Sequence, residues 1–263
     1  MSELERPASH SRNAMASFSD HFSASASHYA SFRPGYPPAL FAWLASVAPD
    51  RRRAWDCGTG SGQAAVPLAE RFAHVVASDP SVAQLAHAPA HHGIQYAAMA
   101  AERCALADGS VSLVTVAQAL HWFDQPAFFA EARRVLVPRG IVAVWSYGLL
   151  TLGDPALDDV VRRFHGEAMG PYWPPERRLV DEGYRSLALP FERVDAPPFA
   201  MTADWTLDHL AGYLTTWSAV KRARAATSSD PVPSVVESLC AGWGDGGAAR
   251  HVEWPITVHI GRV

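Results

Sequence analysis

Charge is scarce in this chain. Asp, Glu, Lys and Arg make up 18% of its 263 residues, against about a quarter in an average soluble domain. The formal net charge of -4 removes any general pull towards phosphate backbones or anionic membranes, so neither a nucleic-acid nor a membrane partner is expected. Arg51-Arg52-Arg53 and Lys221-Arg222-Arg224 are short basic clusters that read as solvated faces and helix ends. Cysteine is equally sparse. Cys57, Cys104 and Cys240 are isolated and odd in number, which excludes a disulfide framework and a cysteine zinc site and fits a reducing compartment. No apolar run approaches the length of a membrane span, and Met1 to Phe22 lacks the apolar centre of a signal peptide. A cytoplasmic protein is expected, with residues 1–21 as a flexible leader and 22–263 as one domain. His87, His91 and His92 form no ligand motif, so no metal is expected. A G-x-S-x-G elbow and a G-x-x-x-x-G-K-[ST] loop are absent as well.

Apolar residues are plentiful, at 49%, and 20 prolines and 18 glycines punctuate them. After Pro37-Pro38, the stripe Leu40, Phe41, Trp43 and Leu44 predicts a helix. Ala54-Trp55 begins a first strand, Ala64 to Phe72 a helix, His74 to Ser78 a second strand and Ser81 to His87 a second helix. Ile94 to Ala97 is a weak third strand. Val111 to Val116 follows the turn Asp108-Gly109 as a buried fourth, and Ile141 to Trp145 is a fifth after a helix over Phe128 to Leu136. Such alternation calls for a mostly parallel sheet covered on both faces. Beyond Tyr147 it breaks down. Helical pieces at Leu157 to Ala168 and Glu176 to Tyr184 flank the rigid loop Pro171-Tyr172-Trp173-Pro174-Pro175. A sixth strand is expected near Phe191 to Val194, a helical hairpin or one interrupted helix over Leu207 to Arg224, and a last strand through Val252, Trp254, Ile256, Val258 and Ile260. Pro255 argues that this last strand lies at an edge or carries a bulge.

The densest signal is Trp55-Asp56-Cys57-Gly58-Thr59-Gly60-Ser61-Gly62-Gln63, followed by a strand that ends in Asp79. Glycines let the chain turn sharply and let a ligand approach the backbone, while Asp79 can accept hydrogen bonds from ribose hydroxyls. A dinucleotide fingerprint needs G-x-G-x-x-G, whereas here the spacing is G-x-G-x-G, with Gln63 in place of the last glycine.

This motif resembles the D-x-G-x-G-x-G signature of class I S-adenosylmethionine-dependent methyltransferases. Further matches at Asp79-Pro80-Ser81, Ala101-Glu102, Gln118-Ala119-Leu120-His121-Trp122-Phe123 and Glu131 to Leu136 resemble the UbiE/COQ5-like group. Tyr172 to Arg177 and Thr216-Trp217-Ser218 resemble the trans-aconitate methyltransferase branch. The resemblance implies a Rossmann-like, mostly parallel seven-stranded sheet with helices on both faces and a small helical cap at 150–190. It implies S-adenosyl-L-methionine as cofactor, with Asp56, Gly58, Thr59, Gly60, Gly62 and Gln63 around its amino-acid portion. Asp79 and Pro80 would lie at the ribose, Ala101 and Glu102 near the adenine, Gln118 near the sulfonium, and Tyr29 and Arg33 in an N-terminal lid. Related enzymes commonly carry a polar residue at the position of Ala100, which has no side chain to meet the adenine amino group.

Methyl transfer needs an acceptor lone pair aligned opposite the leaving sulfur in a mostly dry pocket. His121 follows the buried fourth strand and is the candidate base or acceptor-orienting group, and Tyr147 after the fifth strand could bond an acceptor oxygen. Trp122, Tyr172, Trp173, Arg177 and Trp217 are the candidate substrate contacts, with core packing as the plainer role for each aromatic. The expected function is methyl transfer to a small molecule, oxygen and notably carboxylate acceptors first, by a monomer or homodimer. A nucleotide-cofactor oxidoreductase and a catalytically silent cofactor-binding protein are the alternatives.

Overall fold

The structure is a computed structural model that describes residues 32–263. Its sheet begins with five strands at the expected places: β1 (Arg53–Cys57), β2 (His74–Ser78), β3 (Ile94–Ala97), β4 (Val111–Ala117) and β5 (Leu136–Tyr147). All their pairings are parallel, in the order β3-β2-β1-β4-β5. The chain winds one way from β1 to β3 and the other way from β4 to β5. The carboxyl ends of β1 and β4 therefore border the crevice where such sheets bind ligands.

Among the described residues the sheet has eight strands, where seven were expected. The cause is the length of β8 (Arg250–Arg262), which runs antiparallel to β5 through Ile256–Arg262. Its other edge is long enough to carry two partners, β7 (Phe199–Trp205) and the two-residue β6 (Glu192–Arg193). Pro255 is accordingly not in an edge strand. It lies just past the end of the β5 ladder, opposite Ala200 of β7, where its carbonyl accepts from Gly148 N–H at 2.9 Å.

Strand β5 divides the interior. Ile141, Ala143, Trp145 and Tyr147 face a core with Leu40, Phe41 and Leu44 of α1 (Pro38–Val47), while Val142 and Val144 face Phe128, Ala132 and Val135 of α4 (Gln125–Val135). Burial on both faces explains why these strands read as unbroken apolar runs. Short helices α2 (Ala65–Ala69) and α3 (Val82–Leu85) follow β1 and β2. After β5 come α5 (Pro155–Arg163), two short turns at Phe164–Ala168 and Gly170–Tyr172, and α6 (Arg177–Asp181). The expected hairpin is two helices, α7 (Leu207–Thr215) and α8 (Ser218–Thr227), broken at Trp217, whose backbone is extended. Helix α9 (Val232–Trp243) buries Val232, Val235, Leu239 and Trp243 along one face. Among the described residues, no helix is long and apolar enough to cross a membrane.

Candidate active site

The glycine loop is shaped from below by Asp56. This side chain is fully buried at the end of β1, where it accepts from Thr59 Oγ1 at 2.5 Å and Thr115 Oγ1 at 2.8 Å. Burial, with the charge of Asp79 adding to it and the two hydroxyls opposing it, pushes the Asp56 carboxyl up to about 6. Asp56 thus braces the turn from inside. Gly58, Gly60 and Gly62 all have left-handed backbones, with φ of 69°, 55° and 84°, a region that L side chains enter at a cost. Their surroundings differ. A Cβ on Gly58 would meet Ala119 Cβ at 2.6 Å, and one on Gly62 would meet the Tyr96 hydroxyl at 2.8 Å, whereas one on Gly60 would meet nothing within 4 Å among the described residues. Gly60 is the glycine that faces open space.

Asp79, at the end of β2, reaches across to this loop. Its Oδ2 accepts from Gly60 N–H at 2.9 Å and its Oδ1 from Ser81 N–H at 2.8 Å. These two bonds from backbone amides orient the carboxylate against the glycine loop. Pro80 beside it is exposed. Glu102 accepts from Asp124 N–H at 3.0 Å, and Ala101 is buried in the core under α4 rather than presented to the crevice. Gln63 turns away from the loop, donating from Nε2 to the Pro34 carbonyl at 2.7 Å. That bond ties the segment before α1 to the glycine loop. Tyr29 lies outside the described residues.

Gln118 ends β4 with a left-handed backbone, φ 55°, unusual for a residue with a side chain. Its N–H still bonds Trp145 O at 2.9 Å, which extends the β4–β5 ladder by one step. Its Oε1 is buried with no hydrogen-bond partner among the described residues. Such an atom is rare and marks a place where a ligand donor or cation would be welcome.

Gln118 lines a cavity of about 90 Å³, a volume that admits small polar groups or several waters. Arg33, Tyr147, His121, Trp122, Trp173, Arg177 and Trp217 line it with Gln118, which gathers eight of the expected site residues in one place. Arg33 donates to the Tyr147 hydroxyl, and its guanidinium lies 5.5 Å from the Tyr213 ring centroid. Arg177 lies over Trp173 at 4.7 Å and is held by Asp181 at 2.8 Å. Trp173 donates to the His165 carbonyl at 3.0 Å and packs on Trp217 at 5.5 Å. His121 stands on the turn Leu120–Trp122, with Nδ1 2.9 Å from the Tyr184 hydroxyl. Burial and the neighbouring Arg177 charge push it down to about 3, so the imidazole is neutral. Tyr172 is not on this wall. It is half-buried and packs against the core beside α8.

Tyr184, Tyr213, Thr216 and Ser218 belong to the site and were not expected there. Tyr213 had a signal: Leu210, Tyr213, Leu214 and Trp217 recur at helical spacing on one buried face. Tyr184 had none, because it follows a helix of only five residues and reaches His121 across 63 positions.

Comparison with known proteins agrees with this geometry. A methyltransferase-domain family matches residues 55–144, from β1 through most of β5. A protein of Dictyostelium discoideum that bears a methyltransferase name is 35% identical over 225 residues, covering 84% of this chain and 86% of that one. An uncharacterized methyltransferase of Mycobacterium tuberculosis is 39% identical over 127 residues, 48% of this chain and 51% of its own. A solved structure from Anaeromyxobacter dehalogenans, described as a type II methyltransferase, superposes with a TM-score of 0.83 at 45% identity, covering 88% of this chain and 98% of that one. Fold and relatives together define a Rossmann-like methyltransferase. The chain belongs to the class I S-adenosylmethionine-dependent methyltransferases.

Proposed function

We propose that the chain binds S-adenosylmethionine across the β1–β4 crevice and methylates an oxygen, foremost a carboxylate, of a small molecule. Two features fit the cofactor: the open side of Gly60, where a Cβ would occupy vacant space, and the unpartnered Oε1 of Gln118. Asp79 would take the ribose hydroxyls, the Gly58–Gly62 turn the amino-acid portion, and Gln118 Oε1 the cationic end. When bound, the cofactor supplies an electrophilic methyl group on a positively charged sulfur.

The observation that carries the acceptor reading is the charge of the cavity. Two guanidinium groups, Arg33 and Arg177, line it, and no carboxylate does among the described residues. Such walls favour an anionic acceptor, which is ionised near neutral pH and needs no base. Arg33 donates to Tyr147, so the phenol's own proton is available to an acceptor oxygen. Trp173 and Trp217 exclude water from the opposite side, and ordering of the acceptor there is the chain's contribution to the rate. The segments that resemble the trans-aconitate branch supply Trp173, Arg177 and Trp217 to this wall, in keeping with residues 150–190 as a cap. The test is methyl transfer from labelled cofactor to matched carboxylic acids, phenols and amines. Acids should turn over fastest, and Arg177→Ala should raise KM for acids while sparing neutral acceptors. Preference for amines, or a KM unchanged by Arg177→Ala, would overturn the acceptor reading.

A further inference from the structure

We propose that Tyr184 is a positioning residue that fixes His121 in the tautomer with its proton on Nε2, so that His121 donates a hydrogen bond to the acceptor instead of removing a proton from it. What that bond meets rests on the methyl-transfer reading above; the tautomer itself does not.

The geometry leaves one satisfied arrangement. The Tyr184 side chain is 1% exposed, and its hydroxyl bonds His121 Nδ1 at 2.9 Å. A buried O–H needs an acceptor, and Nδ1 is the one in reach. Were Nδ1 protonated, the phenol proton would be stranded, a cost that tilts the tautomer ratio by about tenfold or more. The phenol therefore donates, Nδ1 accepts, and Nε2 carries the proton on a ring that lines the cavity.

The loop that presents Tyr184 is pinned from several sides. Gly183 and Tyr184 are both left-handed, with φ of 59° and 53°, a costly conformation for a tyrosine. Tyr184 N–H bonds Leu179 O at 2.8 Å, and His259 Nε2 of β8 bonds the Gly183 carbonyl at 2.8 Å. Around the imidazole stand the Trp122 ring at 4.7 Å and the Arg177 charge. Asp181, the carboxylate of α6, is bound to Arg177 and lies 3.7 Å from His165. Burial and Arg177 both oppose an imidazolium, which makes His121 a poor proton acceptor and a steady donor.

Histidine side-chain 1H–15N correlation spectra of the 15N-labelled full chain test this directly, with His121 assigned through His121→Gln. The wild type should show protonated Nε2 and bare Nδ1, unmoved between about pH 5.5 and 8, where a free histidine titrates. In Tyr184→Phe the His121 Nδ1 line should move towards the protonated position. A wild-type Nδ1–H pattern, a titrating His121, or a Tyr184→Phe spectrum identical to wild type would each overturn the proposal. If Tyr184→Phe does not fold, the wild-type spectrum alone decides. Calorimetry with S-adenosylmethionine on the same sample separates the two readings: cofactor binding with the wrong tautomer sinks the role of Tyr184 alone, whereas the right tautomer without cofactor binding sinks the methyl-transfer reading.

Discussion

Alanine at Gly60 and alanine at Gly58 should fail in opposite ways. Both glycines have left-handed backbones, so each substitution carries about 1–2 kcal/mol of conformational cost. At Gly60 the cost ends there, because the new Cβ meets nothing within 4 Å among the described residues and the N–H to Asp79 is retained. At Gly58 the Cβ would meet Ala119 Cβ at 2.6 Å and Phe123 Cζ at 3.0 Å. Overpacking of that kind adds about 1–3 kcal/mol, for a total of about 2–5 kcal/mol. Urea denaturation should rank Gly58→Ala well below Gly60→Ala. Cofactor titration should separate them again, since the Gly60 methyl occupies the space assigned to the ligand. Gly60→Ala should bind S-adenosylmethionine at least about tenfold more weakly, ~1.4 kcal/mol, while remaining folded. Affinity within about twofold of wild type in folded Gly60→Ala would refute the close approach of ligand to this loop. Equal stability of the two variants would refute the packing argument.

Two further outcomes follow from buried carboxylates. Asp56, with its carboxyl pushed up to about 6 from 3.8, holds a proton in the folded state that the unfolded chain releases. Its stabilising share is therefore full below about pH 4 and lost as pH rises through about 6. The stability of wild type relative to Asp56→Asn should improve by about 2–3 kcal/mol on acidification from pH 7 to about 4, and a pH-independent difference in denaturation midpoints would contradict the raised pKa. Glu131 accepts from Cys104 N–H at 2.7 Å and pairs with Arg134 through both oxygens. Glu131→Ala strands these donors beneath α4 and should cost about 1–3 kcal/mol in chemical denaturation without changing cofactor affinity; a neutral substitution would show the network to be dispensable.

Strands β1, β2, β4 and β5 were legible because burial on both faces gives each an apolar run, whereas β3, with no fully buried residue, left only a weak signal. The end of the sheet built on β8 was not. Strand β7 follows Pro197-Pro198 and mixes Thr202 and Asp204 among apolar residues, so only its pairing along β8 declares it a strand. Pro255 pointed to an edge because a proline lacks the N–H for a ladder; here the ladder with β5 has already ended at Ile256. In the site, the glycine loop and Asp79 were readable from spacing, and the aromatic wall from its residue types. The roles of Asp56, Gln63 and Ala101 were less so, since spacing cannot distinguish a residue that faces a crevice from one that braces it from within. The link between Tyr184 and His121 depends on a left-handed tyrosine and a tertiary contact, neither of which leaves a local pattern.

The most direct test of the account is calorimetric titration of the full chain with S-adenosylmethionine, S-adenosylhomocysteine and reduced nicotinamide dinucleotides in parallel. Saturable binding of the two sulfur nucleosides, with none of the nicotinamides, is the expected result. Binding of a nicotinamide alone, or of no ligand at all, would contradict the assignment of the β1–β4 crevice to S-adenosylmethionine.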